Sequence, residues 1–215
     1  MKKLVLLLLV AAMALLAGLA QAAQRYPLGA GNFAIKVDYL RFTDSEVDDL
    51  GVADAPYIGA EFFFPVLNPN FYLGIESGYA WSSGDQTFTF IDRIGRRIDF
   101  NADFDVDYVP IEFNAKYVIE LNPCWTFDIG GGISYNYFNI DASADLFRRD
   151  VDLSGGDSEW LFGGQFFADV NYKMGPWFFG GNVKYQITED MSLSGYDTDV
   201  SASNFRVGGQ AGLMF

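Results

Sequence analysis

The sequence predicts an all-β protein, an eight-stranded antiparallel up-and-down barrel that crosses a lipid bilayer. Three observations carry this. Beyond Ala30, side chains alternate with a period of two in eight segments of about ten residues or longer. Short and long connections alternate between the segments. One face of each segment collects aromatic and β-branched residues, while the other collects Gly, Ala, Asn, Gln and charges. Large apolar side chains on the outer face are tolerated only in lipid.

Taken in order, the first segment sets Phe33, Ile35, Val37 and Tyr39 against Ala34, Lys36, Asp38 and Leu40. The second sets Ile58, Ala60, Phe62 and Phe64 against Tyr57, Gly59, Glu61 and Phe63. The third sets Phe71, Leu73, Ile75, Tyr79 and Trp81 against Tyr72, Gly74, Glu76, Gly78 and Ala80. The fourth sets Val109, Ile111, Phe113, Ala115, Tyr117 and Ile119 against Glu112, Asn114, Lys116 and Glu120. The fifth carries Trp125, Phe127, Ile129, Ile133, Tyr135 and Tyr137 on one face, with Asp128 on the other. The sixth carries Trp160, Phe162, Phe166, Ala168, Val170 and Tyr172 against Gln165, Asp169, Asn171 and Lys173. The seventh carries Trp177, Phe179, Val183, Tyr185 and Ile187 against Asn182, Lys184 and Gln186. The last carries Phe205, Val207, Ala211, Leu213 and Phe215 against Asn204, Arg206 and Gln210.

Three connections are tight and hold Pro or Gly at turn positions: Leu67–Asn70, Leu121–Cys124 and Met174–Pro176. Four are long and acidic, at about 43–55, 84–107, 139–158 and 188–203. Because short and long alternate, all the long loops lie at one end and both termini at the other. The apolar alternation changes phase near Tyr108-Val109, which predicts a β-bulge there.

Trp81, Tyr108, Tyr135, Tyr137 and Trp160 fall near the long-loop ends, and Phe71, Trp125, Tyr172 and Trp177 near the tight turns. These are two candidate aromatic girdles at the two interfaces. The inward charges are the acids Asp38, Glu61, Glu76, Glu112, Asp128 and Asp169, and the bases Lys36, Lys116, Lys173, Lys184 and Arg206. Near-balance of sign is what a paired network in a narrow lumen requires. The reading favoured here is a network that holds the barrel shut. A narrow polar path for small solutes is the alternative.

Composition removes several functions. The net charge is −14, so general nucleic-acid binding is not expected. There is no His and a single Cys, which excludes His-based catalysis and an intramolecular disulfide. Residues 1–22 read as a secretory signal peptide, with Met1-Lys2-Lys3, an uncharged apolar run from Leu4 to Ala20, and the small-x-small site Ala20-Gln21-Ala22. Cleavage there takes Lys2 and Lys3 from the −14 chain and leaves −16 on residues 23–215, the barrel domain.

With these features the chain resembles the small eight-stranded outer-membrane barrels of Gram-negative bacteria, the family typified by the OmpA transmembrane domain, OmpX and the opacity proteins. The ending Phe205-x-Val207-x-Gly209-x-Ala211-x-Leu213-x-Phe215 is similar to that family's C-terminal signal for the barrel-assembly machinery. The resemblance implies outer-membrane insertion, short turns in the periplasm and long loops outside the cell. It also implies contact with outer-membrane lipid and lipopolysaccharide, passage through periplasmic chaperones and the assembly machinery, and a monomer.

Other constellations are weaker. Thr87-Phe88-Thr89-Phe90 and Ile98-Asp99-Phe100 prolong the alternation around Arg93-Ile94-Gly95-Arg96-Arg97, a candidate hairpin tip. This reads either as strand ends that outrun the bilayer or as a ribbon for a partner. Asp103-x-Asp105-x-Asp107 lacks the Gly and closing Glu of a calcium loop and reads as a solvated acidic face. Gly130-Gly131-Gly132 has no following helix and is no phosphate loop. Glu61 and Glu76 are a carboxylate pair that could do acid–base work, but nothing marks an open substrate site, so no enzyme, cofactor or metal is expected. The functional expectation is a structural or surface-interaction barrel. A porin-like channel and a loop-borne adhesin are the alternatives.

Overall fold

The computed structural model of the chain describes residues 31–66, 68–91, 97–145, 153–193 and 196–215. The expected signal peptide and most of the candidate hairpin tip, residues 93–96, lie outside the described residues. In chain order the elements are β1 (Asn32–Phe42), α1 (Ser45–Asp49), β2 (Asp54–Pro65), β3 (Phe71–Ile91), β4 (Arg97–Asn122), β5 (Trp125–Asp145), β6 (Leu153–Met174), β7 (Trp177–Thr188), β8 (Asp190–Leu193), β9 (Tyr196–Ser201) and β10 (Asn204–Met214). Eight of the strands close a barrel in the order β1-β10-β7-β6-β5-β4-β3-β2, each antiparallel to its neighbours. The ring closes where β1 pairs with β10, from Asn32↔Met214 to Phe42↔Asn204. Closure leaves no unpaired edge within lipid, which offers no hydrogen bonds.

The tight turns repeat one device. Asn68 Oδ1 accepts from Asn70 N at 2.9 Å, and Asn122 Oδ1 accepts from Cys124 N at 2.9 Å. Each asparagine folds its side chain onto the backbone two residues on, which fixes the reversal before the proline-stiffened turn. At the third turn Gly175 takes a positive φ of 63°, which a side chain would resist.

The exposed apolar set follows the expected phase. Ile35, Val37, Ile58, Ile75, Phe113, Ile133, Phe166, Val183 and Val207 all face outward. The girdles are present, with Trp81 stacked on Tyr79 (5.5 Å), Trp160 stacked on Tyr135 (4.8 Å), and Trp125 tilted on Tyr172 (5.1 Å). Tyr108 does not belong to them. It points inward and is fully buried.

The expected bulge at Tyr108-Val109 is also absent. The β3–β4 register is the same on both sides, Ser77↔Ile111 and Ala80↔Tyr108, and the irregularity lies at Glu120/Asn122 instead. The reason is physical. Past the aromatic girdle the outer face meets water and the inner face becomes apolar, so Asp103, Asp105 and Asp107 turn outward while Val106 and Tyr108 turn in. The hydrophobic pattern inverts without any change of backbone phase.

Two connections expected to be loops carry structure. The last one holds the β8–β9 hairpin, and the first holds α1, capped by Asp44 accepting from Glu46 N at 3.0 Å. The second and third are largely strand. Pairing runs out to Ile91↔Arg97 between β3 and β4, to Asn101↔Asp145 between β4 and β5, and to Ala144↔Leu153 between β5 and β6. The barrel wall therefore rises on one side as a four-stranded sheet, while β1, β2, β7 and β10 stop near the girdle.

Candidate functional site: the barrel interior

From the outer mouth inward, the first layer is apolar. Leu40, Phe42, Ala55, Ala80, Val106, Phe138 and Leu161 project from the barrel wall. They meet Val47 of α1, Val52, Met191 of β8, Val200 of β9 and Ala202, all buried. Phe42 sits edge-on to both Tyr108 and Phe138, at 5.6 Å from each. The first and last loops that supply this lid are tied together, with Thr43 N donating to Ser203 O (2.8 Å) and Ser201 N to Asp44 Oδ2 (2.9 Å). The sequence pattern puts Leu40, Tyr57 and Ala80 on the inward face but assigns no face to Phe42, Val106, Phe138 or Leu161, so the layer as a whole is not anticipated. Its signal was the same inversion that was read as a bulge.

Below it lies a neutral polar layer. Tyr108 Oη is 2.7 Å from Gln186 Oε1, Gln186 Nε2 donates to Asn136 Oδ1 (2.9 Å) and Ser134 Oγ (2.7 Å), and Asn204 Nδ2 donates to Tyr108 Oη (3.3 Å).

The charged layer follows, and its order is explicit. Glu61, Glu76 and Glu112 stand side by side on β2, β3 and β4 as successive register partners. Arg206 and Lys184 are register partners on β10 and β7, with Lys36 on β1. Like charges side by side in a sheet are unfavourable. Here each wall is neutralised by the wall opposite. Arg206 pairs with Glu112, Glu112 with Lys184, and Lys184 with Glu76 (2.7 Å). Glu76 pairs with Lys36 (3.1 Å), Lys36 with Glu61 (2.7 Å), Glu61 with Lys116 (3.6 Å), and Lys116 with Asp128 (3.2 Å). Arg206 also reaches Glu76 at 3.4 Å. Eight groups of alternating sign form one chain across the lumen.

The other expected members are placed differently. Asp38 accepts from Asn182 Nδ2 at 2.9 Å. Asp169 is buried without a base in contact among the described residues. Lys173 stands at the tight-turn rim of the barrel, bonded to Glu120 at 3.0 Å, and not in the network. Among the described residues, six buried acids thus face four buried bases. Glu61 and Glu76, weighed above as an acid–base pair, are both buried in ion pairs.

Aromatic rings pack into this layer. Arg206 lies over Tyr57 (4.6 Å), and Lys116 over Phe63 (4.1 Å). The rings fit because glycines lie beneath them. A Cβ at Gly78 would overlap Tyr57, one at Gly74 would overlap Phe63, and one at Gly130 would overlap Phe167. At the tight-turn end the lumen opens into a cavity of about 470 Å³, lined in part by Asn32, Tyr72, Lys116, Asp128, Lys173 and Phe178. Asp103, Asp105 and Asp107 lie on the outer face of β4, and the described residues hold no cluster of three metal-ligating side chains.

The model of the outer membrane protein β-barrel domain family matches residues 6–156, well over half of the chain. This chain belongs to that family. A major outer membrane protein from Thermus thermophilus has the same fold, with a TM-score of 0.57 at 12% identity over 86% of this chain and 100% of that one. The attachment invasion locus protein Ail of Yersinia pestis aligns at a TM-score of 0.48 and 10% identity, over 88% of this chain and all of its own. The N-terminal barrel of Pseudomonas aeruginosa OprF aligns at 0.44 and 13%, over 86% of this chain and 99% of its own. No curated protein matches the sequence significantly. As an outer-membrane barrel, the chain places its tight turns in the periplasm and its raised sheet outside the cell.

In the C-terminal strand, Phe205, Val207 and Ala211 face outward. Phe215 stacks on Phe62 (5.9 Å), and Gly31 N donates to its carbonyl at 2.9 Å.

Proposed function

We propose that this protein is a closed, non-conducting outer-membrane barrel with a structural role, whose rigid wall presents the raised β3–β6 sheet to the outside. The observation that carries this is the succession of seals in the lumen: an apolar lid, a hydrogen-bonded polar layer and an ion-paired chain, all buried. Small barrels of eight strands are filled by their own side chains, and this one follows that rule. The narrow-channel alternative needs a continuous polar path, and the apolar lid at the outer mouth opposes one.

The chain reaches the membrane by export with cleavage after Ala22, and its alternating C-terminal strand ending in Phe215 is the segment read by the barrel-assembly machinery after periplasmic chaperones release it. Its outer face contacts lipid and lipopolysaccharide, and it works as a monomer without enzymatic activity. A surface-interaction role is favoured by one specific feature. Ile91 lies ten residues beyond Trp81 on β3, so the sheet stands well clear of the girdle.

Planar-bilayer recording of the purified barrel tests the closed lumen. No unit conductance is expected, and reproducible steps would overturn the reading. Deletion of residues 85–103 tests the second role. Binding to cells is expected to fall while the barrel keeps its heat-dependent shift in gel mobility.

A further inference from the structure

The raised sheet has an outer face whose chemistry the seals in the lumen leave unexplained. The register sets out its rows. Just above the girdle, Trp81, Asp107, Asn139 and Ser158 stand side by side on β3, β4, β5 and β6. The next row holds Ser83, Asp105, Asp141 and Gly156, and the one above it Asp85, Asp103 and Ser143. Rings flank the lowest row. Trp81 stacks on Tyr79 at 5.5 Å, and Trp160, one row lower, stacks on Tyr135 and tilts on Tyr137. The two tryptophans are 42% and 43% exposed. Hydrogen bonds order the polar groups between them: Tyr79 Oη donates to Asp107, and Asn139 Nδ2 donates to Asp141 at 2.9 Å. A carboxylate accepts at about four sites, so each keeps room for further donors.

The face is thus built of rings and hydrogen-bond acceptors. Among its described side chains Asp85, Asp103, Asp105, Asp107 and Asp141 are acidic and none is basic. Arg41, outward at the top of β1, is engaged with Asp48 and Asp54. A phosphate laid on this face would meet like charge. A neutral, hydroxyl-rich molecule would not. Its O–H groups donate to the Asp and Asn oxygens, and the C–H side of a sugar ring lies well against an indole. Neighbouring strands are about 4.8 Å apart and same-face residues along a strand about 7 Å apart, a spacing on the scale of linked sugar rings.

We propose that this face binds the uncharged sugars of a glycolipid anchored in the outer leaflet around the barrel. Position selects the source. Strands β3 to β6 run from the lipid-facing wall into the raised sheet without a break in register, so the molecules that reach its lowest row are the heads of the lipids whose chains cover the wall below. Chemistry selects the head. Trp81 and Trp160 offer rings to stack on, Asp107 and Asn139 take the first hydroxyls, and the acids above them turn phosphate heads away. The inference deepens the reading of the outer wall as a lipid-contacting surface and rests on it.

The test uses the full barrel folded into bilayer discs of phosphatidylcholine alone, with added phosphatidylglycerol, or with added digalactosyl diacylglycerol, all in a chelator. A water-soluble carbodiimide with glycine ethyl ester labels accessible carboxylates, and mass spectrometry reads Asp103, Asp105 and Asp141. Labelling follows the unbound fraction, so it should fall about tenfold once the galactolipid exceeds its dissociation constant about tenfold. Phosphatidylglycerol should leave it unchanged. Trp81→Ala combined with Asn139→Ala should lose the protection. Should that barrel not fold, Asn139→Ala alone serves in its place and should weaken it. Asp103→Lys with Asp105→Lys should transfer protection of Asp141 from the galactolipid to phosphatidylglycerol.

Equal labelling in the three discs would overturn the proposal, as would protection by phosphatidylglycerol in the unsubstituted barrel. Protection that appears only with magnesium would replace the hydroxyl contacts with an ion bridge and reject it too. Equal protection by the soluble disaccharide at matched concentration would reject the membrane-anchored source. Quenching of tryptophan fluorescence by lipids brominated in their acyl chains separates this inference from the reading beneath it. Quenched tryptophans with unprotected carboxylates would remove the sugar site alone, whereas unquenched tryptophans would remove the lipid-facing wall and the site with it.

Discussion

Glu76 accepts contacts from three bases at once: Lys36, Lys184 and Arg206. It is the point where the two halves of the charge chain are joined, and it is 1% exposed. Glu76→Gln keeps the shape and removes the charge, so three cations are left to share Glu61 and Glu112. Breaking a buried pair from one side costs about 3–5 kcal/mol, because the partner stays buried without compensation. Urea unfolding of the variant should show a loss of that size. A loss below about 1 kcal/mol, the value typical of exposed pairs, would mean that water reaches the network. The identities of these residues were legible in the sequence, since period two alone sorts Lys36, Glu61, Glu76, Glu112, Lys184 and Arg206 onto one face. Their partners were not. Within this network only Lys36–Glu61 and Lys116–Asp128 join neighbouring strands; the other pairs, such as Arg206–Glu112, link strands that are not neighbours, and they depend on the stagger with which the sheet closes. The rim position of Lys173 was hidden for the same reason: inward phase says nothing about depth.

At the scale of the strand, β4 shows how lipid writes its thickness into a sequence. From Asp103 to Ile119 its odd-numbered residues point outward, yet they change from Val109, Ile111 and Phe113 to Asp103, Asp105 and Asp107 as the strand leaves the girdle. The even-numbered face changes in the opposite sense, from Lys116, Asn114 and Glu112 to Tyr108 and Val106. A reader of hydrophobic alternation sees a slip of one residue. The register shows none. This also accounts for what was missed around it. The third connection looks like a loop because its polarity fits neither face of the membrane band, whereas the alternation at Thr87–Phe90 and Ile98–Phe100 already predicts the strand found in the second; α1 and the β8–β9 hairpin are too short to show periodicity. The eight spanning segments and the Asn-Pro turns were plain because each depends on local chemistry alone. A pair of substitutions on one face of β4 measures the inversion. Phe113→Arg, between the girdles, should cost about 2–4 kcal/mol, the penalty for arginine at mid-bilayer. Asp105→Arg, eight residues along the same face, should change stability by about 0.5 kcal/mol or less, as at any wet surface. Similar losses at both sites in folding titrations into lipid vesicles would show that the upper wall is also in lipid.

At the scale of the whole barrel, the seals act in series, and this fixes what a mutation can and cannot open. Conduction through consecutive barriers is limited by the highest of them. Removing charge from the middle of the lumen leaves the apolar lid in place, where Val47, Val52 and Met191 pack onto Phe42, Phe138 and Leu161. Removing the lid leaves the chain of ion pairs. Arg206→Ala should therefore give no unit conductance in planar bilayers, and neither should a barrel with Val47, Val52 and Met191 all changed to Ser. The combined variant should conduct, because the periplasmic end is already open as far as Asp128. The lid residues sit on the first and last loops, which are bonded to each other, so their substitution loosens the mouth without touching the lipid-facing wall. If Arg206→Ala conducted alone, the lid would be permeable as built, and the charge network would be the gate of a narrow channel instead of one of several plugs. The single and combined recordings thus separate a barrel that is filled from one that is merely closed.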